Sequence, residues 1–164
     1  MNYKIIDNFL DKENFLKTKH LLEHAEFNWF YREYMVNKKD PHYFSHAFFN
    51  KSEKQCPNFN VIQPLLNKLN YVSLVQVRAN LTLKTNKPAE SSWHMDYNYS
   101  NGKTAIFYLN TCNGFTILDK DKQIKINSIE NRIVVFDNNT HHKSFLQTDT
   151  NRRIILNINY FDEN

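Results

Sequence analysis

His94, Met95 and Asp96, followed far downstream by His142 and Arg153, are the residues whose types and spacing could do chemistry together. On an extended strand, positions i and i+2 point to one face, so the His94 imidazole and the Asp96 carboxylate can converge on one ion. Two imidazoles and a carboxylate are the facial donor set that suits ferrous iron with positions left open for oxygen chemistry. A guanidinium beyond them offers a planar clamp for the far carboxylate of a dicarboxylate co-substrate. The combination points to Fe(II) and 2-oxoglutarate.

The surrounding segments give the triplet weight, because in a chain with seven histidines an H-x-D alone is more often a surface feature. Asn101-Gly102 is a hairpin signal, and the β-rich run Thr104 to Asn110 follows it. Asn113-Gly114 marks another turn before a short strand, Phe115 to Leu118. Arg132 to Phe136 precedes the distal histidine, and Ile154 to Tyr160 follows Arg153. Short strands broken by frequent turns indicate a sandwich or barrel. The candidate ligands then sit at strand ends, on a rigid frame.

The pattern runs from Arg78-Ala79-Asn80-Leu81 through His94-x-Asp96, Thr104-Ala105-Ile106-x-Tyr108-Leu109-Asn110 and Asn113-Gly114-Phe115-Thr116. It continues through Asn131-Arg132-x-Val134-x-Phe136-Asp137, His142 and Thr148-Asp149-Thr150 to Arg153 and Asn157-x-Asn159-Tyr160. In order and spacing it resembles the prolyl 4-hydroxylase-like branch of the Fe(II)/2-oxoglutarate-dependent dioxygenases. The opening Ile6 to Leu10 resembles the start of such proteins less distinctively.

The resemblance implies a mainly β protein with flanking helices, a double-stranded β-helix of jelly-roll or cupin-like type. It implies that His94, Asp96 and His142 ligate Fe(II) and form the catalytic centre, while Arg153 and Tyr108 hold the distal carboxylate of 2-oxoglutarate. The reaction implied consumes O2 and 2-oxoglutarate, releases succinate and CO2, and hydroxylates a C–H bond, with a peptidyl proline as the suggested substrate. Relatives often carry a tyrosine where Thr82 stands, and Asn80 can replace that co-substrate contact. His141 and His142 point to opposite faces of a strand, as do Arg152 and Arg153. His142 and Arg153 fit the family spacing, with Arg153 opening the apolar run Ile154-Ile155-Leu156.

Other readings share parts of this pattern. The same chemistry could serve a nucleic-acid or small-molecule substrate, since fold and triad do not set the substrate. A non-oxygenase, metal-binding cupin-like protein is a different class. Arg153 with Tyr108 argues against it, because a hydrolase needs no carboxylate clamp.

The 164 residues suit one domain, with residues 1–70 a helical and aromatic flank and 71–164 the jelly-roll core holding the metal site. A net charge of +4 could favour nucleic acid, but the basic residues are spread without a block of like charge. No apolar stretch is long enough to span a bilayer, and Met1-Asn2-Tyr3-Lys4 lacks the basic-then-apolar pattern expected of a signal peptide. Cys56 and Cys112 make neither a disulfide framework nor a CxxC site, which fits a reducing cytoplasm.

Asp11 can cap a helix over about Lys12 to Ala25, and a second helix is expected around Val61 to Leu69. Between them, Phe27 to Phe49 is crowded with rings, interrupted by a turn at Asn37 to Pro41. About half of these rings are expected in the core and the rest at a substrate-facing wall, with polar tips from Tyr31, Arg32, Tyr43 and His46. The Asn37–Pro41 loop is then expected at the mouth of the iron pocket.

Overall fold

A computed structural model describes residues 2–163. Its elements, in chain order, are β1 (Tyr3–Ile6), α1 (Lys12–Glu23), β2 (Phe30–Arg32), β3 (Tyr43–Asn50), β4 (Glu53–Lys54), α2 (Phe59–Asn67) and β5 (Tyr71–Leu83). They continue with β6 (Gly102–Tyr108), β7 (Phe115–Leu118), β8 (Ile124–Asn127), β9 (Arg132–Asp137), β10 (His142–Phe145) and β11 (Arg152–Asp162).

Two antiparallel sheets face one another, as in a jelly roll. The large sheet has eight strands in the order β1-β9-β6-β11-β5-β3-β2, with β4 beside β3. The small sheet runs β10-β7-β8. Bridges from Glu90 to Phe145 and from His94 to His142 lay the segment before Asp96 along the free edge of β10. The expected strands across the second half form, and β1, β2 and β3 extend the large sheet from the first half. The thirteen-residue β5 is longer than any expected run, and it carries the residues facing Arg153.

Alternation divides the large sheet into two faces. Ala79, Phe107, Ile133, Leu156 and Ile158 point outward and pack with Phe15 and Leu22 of α1 and Ile62, Leu65 and Leu66 of α2. Ile106, Tyr108, Val134 and Phe136 point inward toward Leu118 and Ile126 of the small sheet. Asp11 accepts a hydrogen bond from Asn14 N–H at 3.0 Å, and α1 ends at Glu23, two residues before the expected end. Helix α2 starts at Phe59 and holds Pro64 inside. The proline forgoes a bond to Asn60, whose exposure lets water serve that carbonyl, while Ile62, Leu65 and Leu66 anchor the other face. Among the described residues, no helix is long and apolar enough to cross a membrane.

Candidate metal centre and co-substrate pocket

His94 and His142 are a hydrogen-bonded cross-strand pair. The His94 N–H donates to the His142 carbonyl at 3.0 Å and the His142 N–H returns the bond at 2.8 Å. Such a pair puts both side chains on one face, and the ring centroids lie 4.2 Å apart. Asp96, two residues past His94, places Oδ1 at 3.7 Å from His94 Nε2 and 3.8 Å from His142 Nε2. One ligand atom from each of the three residues falls within 4.8 Å of the others.

Both imidazoles are aimed by their own backbone. His94 Nδ1 lies 3.2 Å from the Ser92 carbonyl and His142 Nδ1 lies 3.1 Å from the Thr140 carbonyl. A carbonyl only accepts, so each Nδ1 carries a proton and each Nε2 is the nitrogen turned toward Asp96. Burial, reinforced by the facing His142, pushes the His94 pKa down to about 4, so the ring is neutral at pH 7. Burial opposes ionisation of Asp96, but His142, His94 and the Asn157 amide outweigh it and hold the carboxyl below its usual range.

A polar chain buried inside the sheet fixes Asp96. Asn157 Nδ2 donates to Asp96 Oδ2 at 2.9 Å, Asn159 Nδ2 donates to Asn157 Oδ1 at 2.9 Å, and Thr104 donates to Asn159 Oδ1 at 2.7 Å. Asp96 Oδ1 is thereby left for an ion. Asn157 and Asn159 belong to the family pattern in the sequence, which gives them no site role. Their spacing of two on an apolar strand was the available signal, since inward amides there need partners.

Arg153 opens the inner face of β11 and is 3% exposed. Nη1 donates to Ser144 Oγ at 2.7 Å, Nη2 to Thr116 Oγ1 at 3.3 Å and Nε to Ser128 Oγ at 3.3 Å. All three partners are neutral hydroxyls, and among the described residues no carboxylate is paired with it. Tyr108 lies behind it, its ring centroid 5.5 Å from the guanidinium carbon and its hydroxyl donating to Thr116 at 3.0 Å. Gly114 makes room, since a Cβ there would stand 3.0 Å from Arg153 Cδ and 3.1 Å from the Phe145 carbonyl. Arg152 points outward to Glu23 of α1 at 3.1 Å. His141 is absent from the cluster and lines a surface groove with Asp119 and Asp121.

One cavity joins these groups. Its wall includes His94, His142, Arg153, Thr116, Ser144 and Asn157, together with Arg78, Asn80 and Thr82 from alternate positions of β5. The Thr82 hydroxyl is committed to Gln147 Oε1 at 2.9 Å, whereas Asn80 Oδ1 and Arg78 Nε are buried without a partner. Met35, Val36 and Tyr43 close the cavity from the aromatic segment. The turn after Val36 thus lies at the mouth, and Asp40 ties it down by accepting from Ser92 Oγ at 2.6 Å and from the Ser92, Val36 and Asn37 amides.

The rings of β3 alternate as far as Ala47, and a bulge between Ala47 and Phe49 then puts Phe48 and Phe49 together. Phe27, Trp29, Phe48 and Phe49 join the outer core, Tyr43 lines the cavity, and Phe30, Tyr31 and Tyr34 are exposed. His46 faces away from the iron side, against Phe27 and Phe48, with Nδ1 donating to the Asn28 carbonyl at 2.8 Å. A larger cavity of about 760 Å³ lies there, between α1 and α2 and remote from the cluster. Trp93 turns from the metal side to lie beneath the Lys143 ammonium at 5.1 Å.

No family model matches the sequence, and no curated protein matches it either. Solved structures do. A prolyl hydroxylase from Trichoplax adhaerens, in complex with a hypoxia inducible factor oxygen degradation domain peptide fragment, superposes with a TM-score of 0.72 at 17% identity, covering 98% of this chain and 83% of that one. A 2OG-Fe(II) oxygenase family oxidoreductase from Burkholderia pseudomallei gives 0.75 at 10% identity, over 96% and 84%. A non-heme alpha ketoglutarate dependent carbocyclase from nogalamycin biosynthesis gives 0.74 at 11% identity, over 98% and 79%. The chain therefore has the jelly-roll fold shared by prolyl hydroxylases and other 2OG-Fe(II) oxygenases.

Proposed function

We propose that this protein is an Fe(II)- and 2-oxoglutarate-dependent oxygenase that hydroxylates a C–H bond of a peptide or small molecule. The observation that carries the reading is Arg153. A guanidinium 3% exposed, held among the described residues by three hydroxyls, in one cavity with His94 and His142 of the three-residue cluster, is a buried cation awaiting an anion.

The donor set fits iron, because two Nε2 lone pairs and one carboxylate oxygen converge while both Nδ1 protons are already engaged. His94, Asp96 and His142 would hold the metal, and the Asn157 amide keeps Asp96 oriented. Arg153 would take the distal carboxylate of 2-oxoglutarate, steadied by Tyr108 from behind and by Thr116 and Ser144 at its tips. Asn80, with a free amide oxygen in the cavity, is the better candidate than Thr82 for a further co-substrate contact. Phe136 packs against the edge of His142 at 5.2 Å and keeps water from that side. When bound, iron and 2-oxoglutarate activate O2 for C–H hydroxylation, with succinate and CO2 released.

A peptidyl proline is suggested by the family resemblance and by the peptide bound to the Trichoplax enzyme. The carbocyclase from nogalamycin biosynthesis supports a small molecule equally well. Two free cysteines, Cys56 and Cys112, suit a reducing cytoplasm that would also keep iron ferrous. The test is succinate formation from 2-oxoglutarate under air with Fe(II), which should occur slowly without prime substrate and vanish in His142→Ala. Absence of both metal binding and turnover in the wild type would sink the proposal.

A further inference from the structure

Arg78 is a second cation in the same cavity, and it stands on the metal side rather than beside Arg153. Its cross-strand neighbour on β11 is Asn157, the residue that holds Asp96, whereas the neighbour of Arg153 is Thr82. The two rungs are four residues apart, about 13 Å along the strand. Arg153 is turned to Ser144, Thr116 and Ser128, and the Arg78 charge instead bears on His94, Asp96 and Tyr97. The carboxyl carbons of 2-oxoglutarate are separated by four C–C bonds, roughly 5 Å. In the oxygenase reading, a diacid gripped by Arg153 would give its other end to the metal held by His94, Asp96 and His142, which leaves the Arg78 guanidinium to another anion.

Arg78 is half-buried and, among the described residues, its side chain has no hydrogen-bond partner. Its Nε is buried without a hydrogen bond, and among the described residues it forms no ion pair. Charge balance sharpens the point. A divalent iron and a dianionic co-substrate cancel, and Asp96 offsets Arg153. Arg78 is the charge left over, beside the metal, where a prime substrate must lie.

We infer that Arg78 binds a carboxylate of the prime substrate, so that the substrate is a small carboxylic acid or the C-terminal residue of a peptide and not a mid-chain residue. This rests on the oxygenase reading of the site. A planar carboxylate suits the guanidinium fork, and a neutral amide in its place would leave the cation unpaired.

The experiment is calorimetric titration of the protein loaded with Mn(II) and 2-oxoglutarate. The probes are the free proteinogenic amino acids, their carboxamides, and glycyl dipeptides that keep the carboxylate. At least one acid should bind roughly tenfold or more tighter than its amide. Arg78→Gln should erase that preference and Arg78→Lys should restore part of it. Preference confined to free acids identifies a small-molecule substrate, and one shared by the dipeptides identifies a chain terminus. Normal loading with no acid preference, or a preference that survives Arg78→Gln, overturns the inference alone. So does a roughly tenfold loss of 2-oxoglutarate affinity in Arg78→Gln, which would assign Arg78 to the co-substrate. Failure of the wild type to take up metal and 2-oxoglutarate overturns the oxygenase reading and the inference with it.

Discussion

Replacing Arg153 by methionine separates ligand binding from stability. The guanidinium is 3% exposed and its partners are the hydroxyls of Ser144, Thr116 and Ser128, so no buried carboxylate is stranded by its loss. Thr116 keeps Tyr108, and Ser128 keeps its bond to the Asn110 carbonyl at 3.2 Å. Removing an uncompensated buried cation for an apolar chain of similar length is commonly neutral or stabilising. The ligand-free variant should therefore melt within about 4 °C of wild type, equivalent to a change of roughly 1 kcal/mol. Binding is different. Deleting one side of a buried charged contact costs about 2–5 kcal/mol, a fall in 2-oxoglutarate affinity of about 30-fold to several thousandfold.

Thermal denaturation with Mn(II) reads both effects. At a 2-oxoglutarate concentration about 100 times the wild-type Kd, linkage adds about 2.7 kcal/mol, a rise of roughly 5–11 °C for a chain of this size. Arg153→Met should gain less than about 1 kcal/mol under the same conditions. A variant that retains the full rise would refute the clamp. So would a ligand-free melt lowered by more than about 10 °C, because Arg153 would then be structural. If Arg152→Met abolished the response instead, the outward-facing arginine would be the clamp.

Three further outcomes follow from the same geometry. His142→Ala should abolish Mn(II) binding by calorimetry while His141→Ala keeps it, and equal loss in both would reject the three-residue site. Asn157→Ala frees Asp96 Oδ2 and should weaken metal binding about 10- to 100-fold, with an unchanged affinity contradicting the supporting role. Burial opposes ionisation of Asp40, yet bonds from Ser92, Asn37 and Val36 prevail and hold its carboxyl below the usual range. A depressed carboxyl stabilises above its unfolded pKa near 3.8 and loses that contribution as pH falls through the folded value. Protection against hydrogen exchange at the Val36, Asn37 and Ser92 amides, taken relative to the intrinsic rate at each pH, should accordingly fall in acid and be low at neutral pH in Asp40→Asn. Slow exchange in that variant would show that Asp40 does not hold the turn at the cavity mouth.

What the sequence determined by itself is whatever follows from strand periodicity. A period of two separates His142 from His141, Arg153 from Arg152 and Tyr43 from Phe48, whereas Asp96 reaches His94 from a bend outside any strand. The turn residues at Asn101-Gly102 and Asn113-Gly114 bracket the strands that carry Tyr108 and Thr116. Tertiary structure alone decided which face met which partner. The His94–His142 bridge joins residues far apart in the chain, and no local pattern states that register. Asn157, Asn159 and Thr104 belong to the family pattern without a role until β6 and β11 pair, which turns them into one chain ending on Asp96. His46 carries a polar tip like Tyr43, but its place between Phe27 and Phe48 sends it to the outer core. Arg78 belongs to the family pattern without a role, and the orphaning of its Nε belongs to the cavity. A residue's face comes from the local backbone, whereas its charge environment comes from segments brought together by folding.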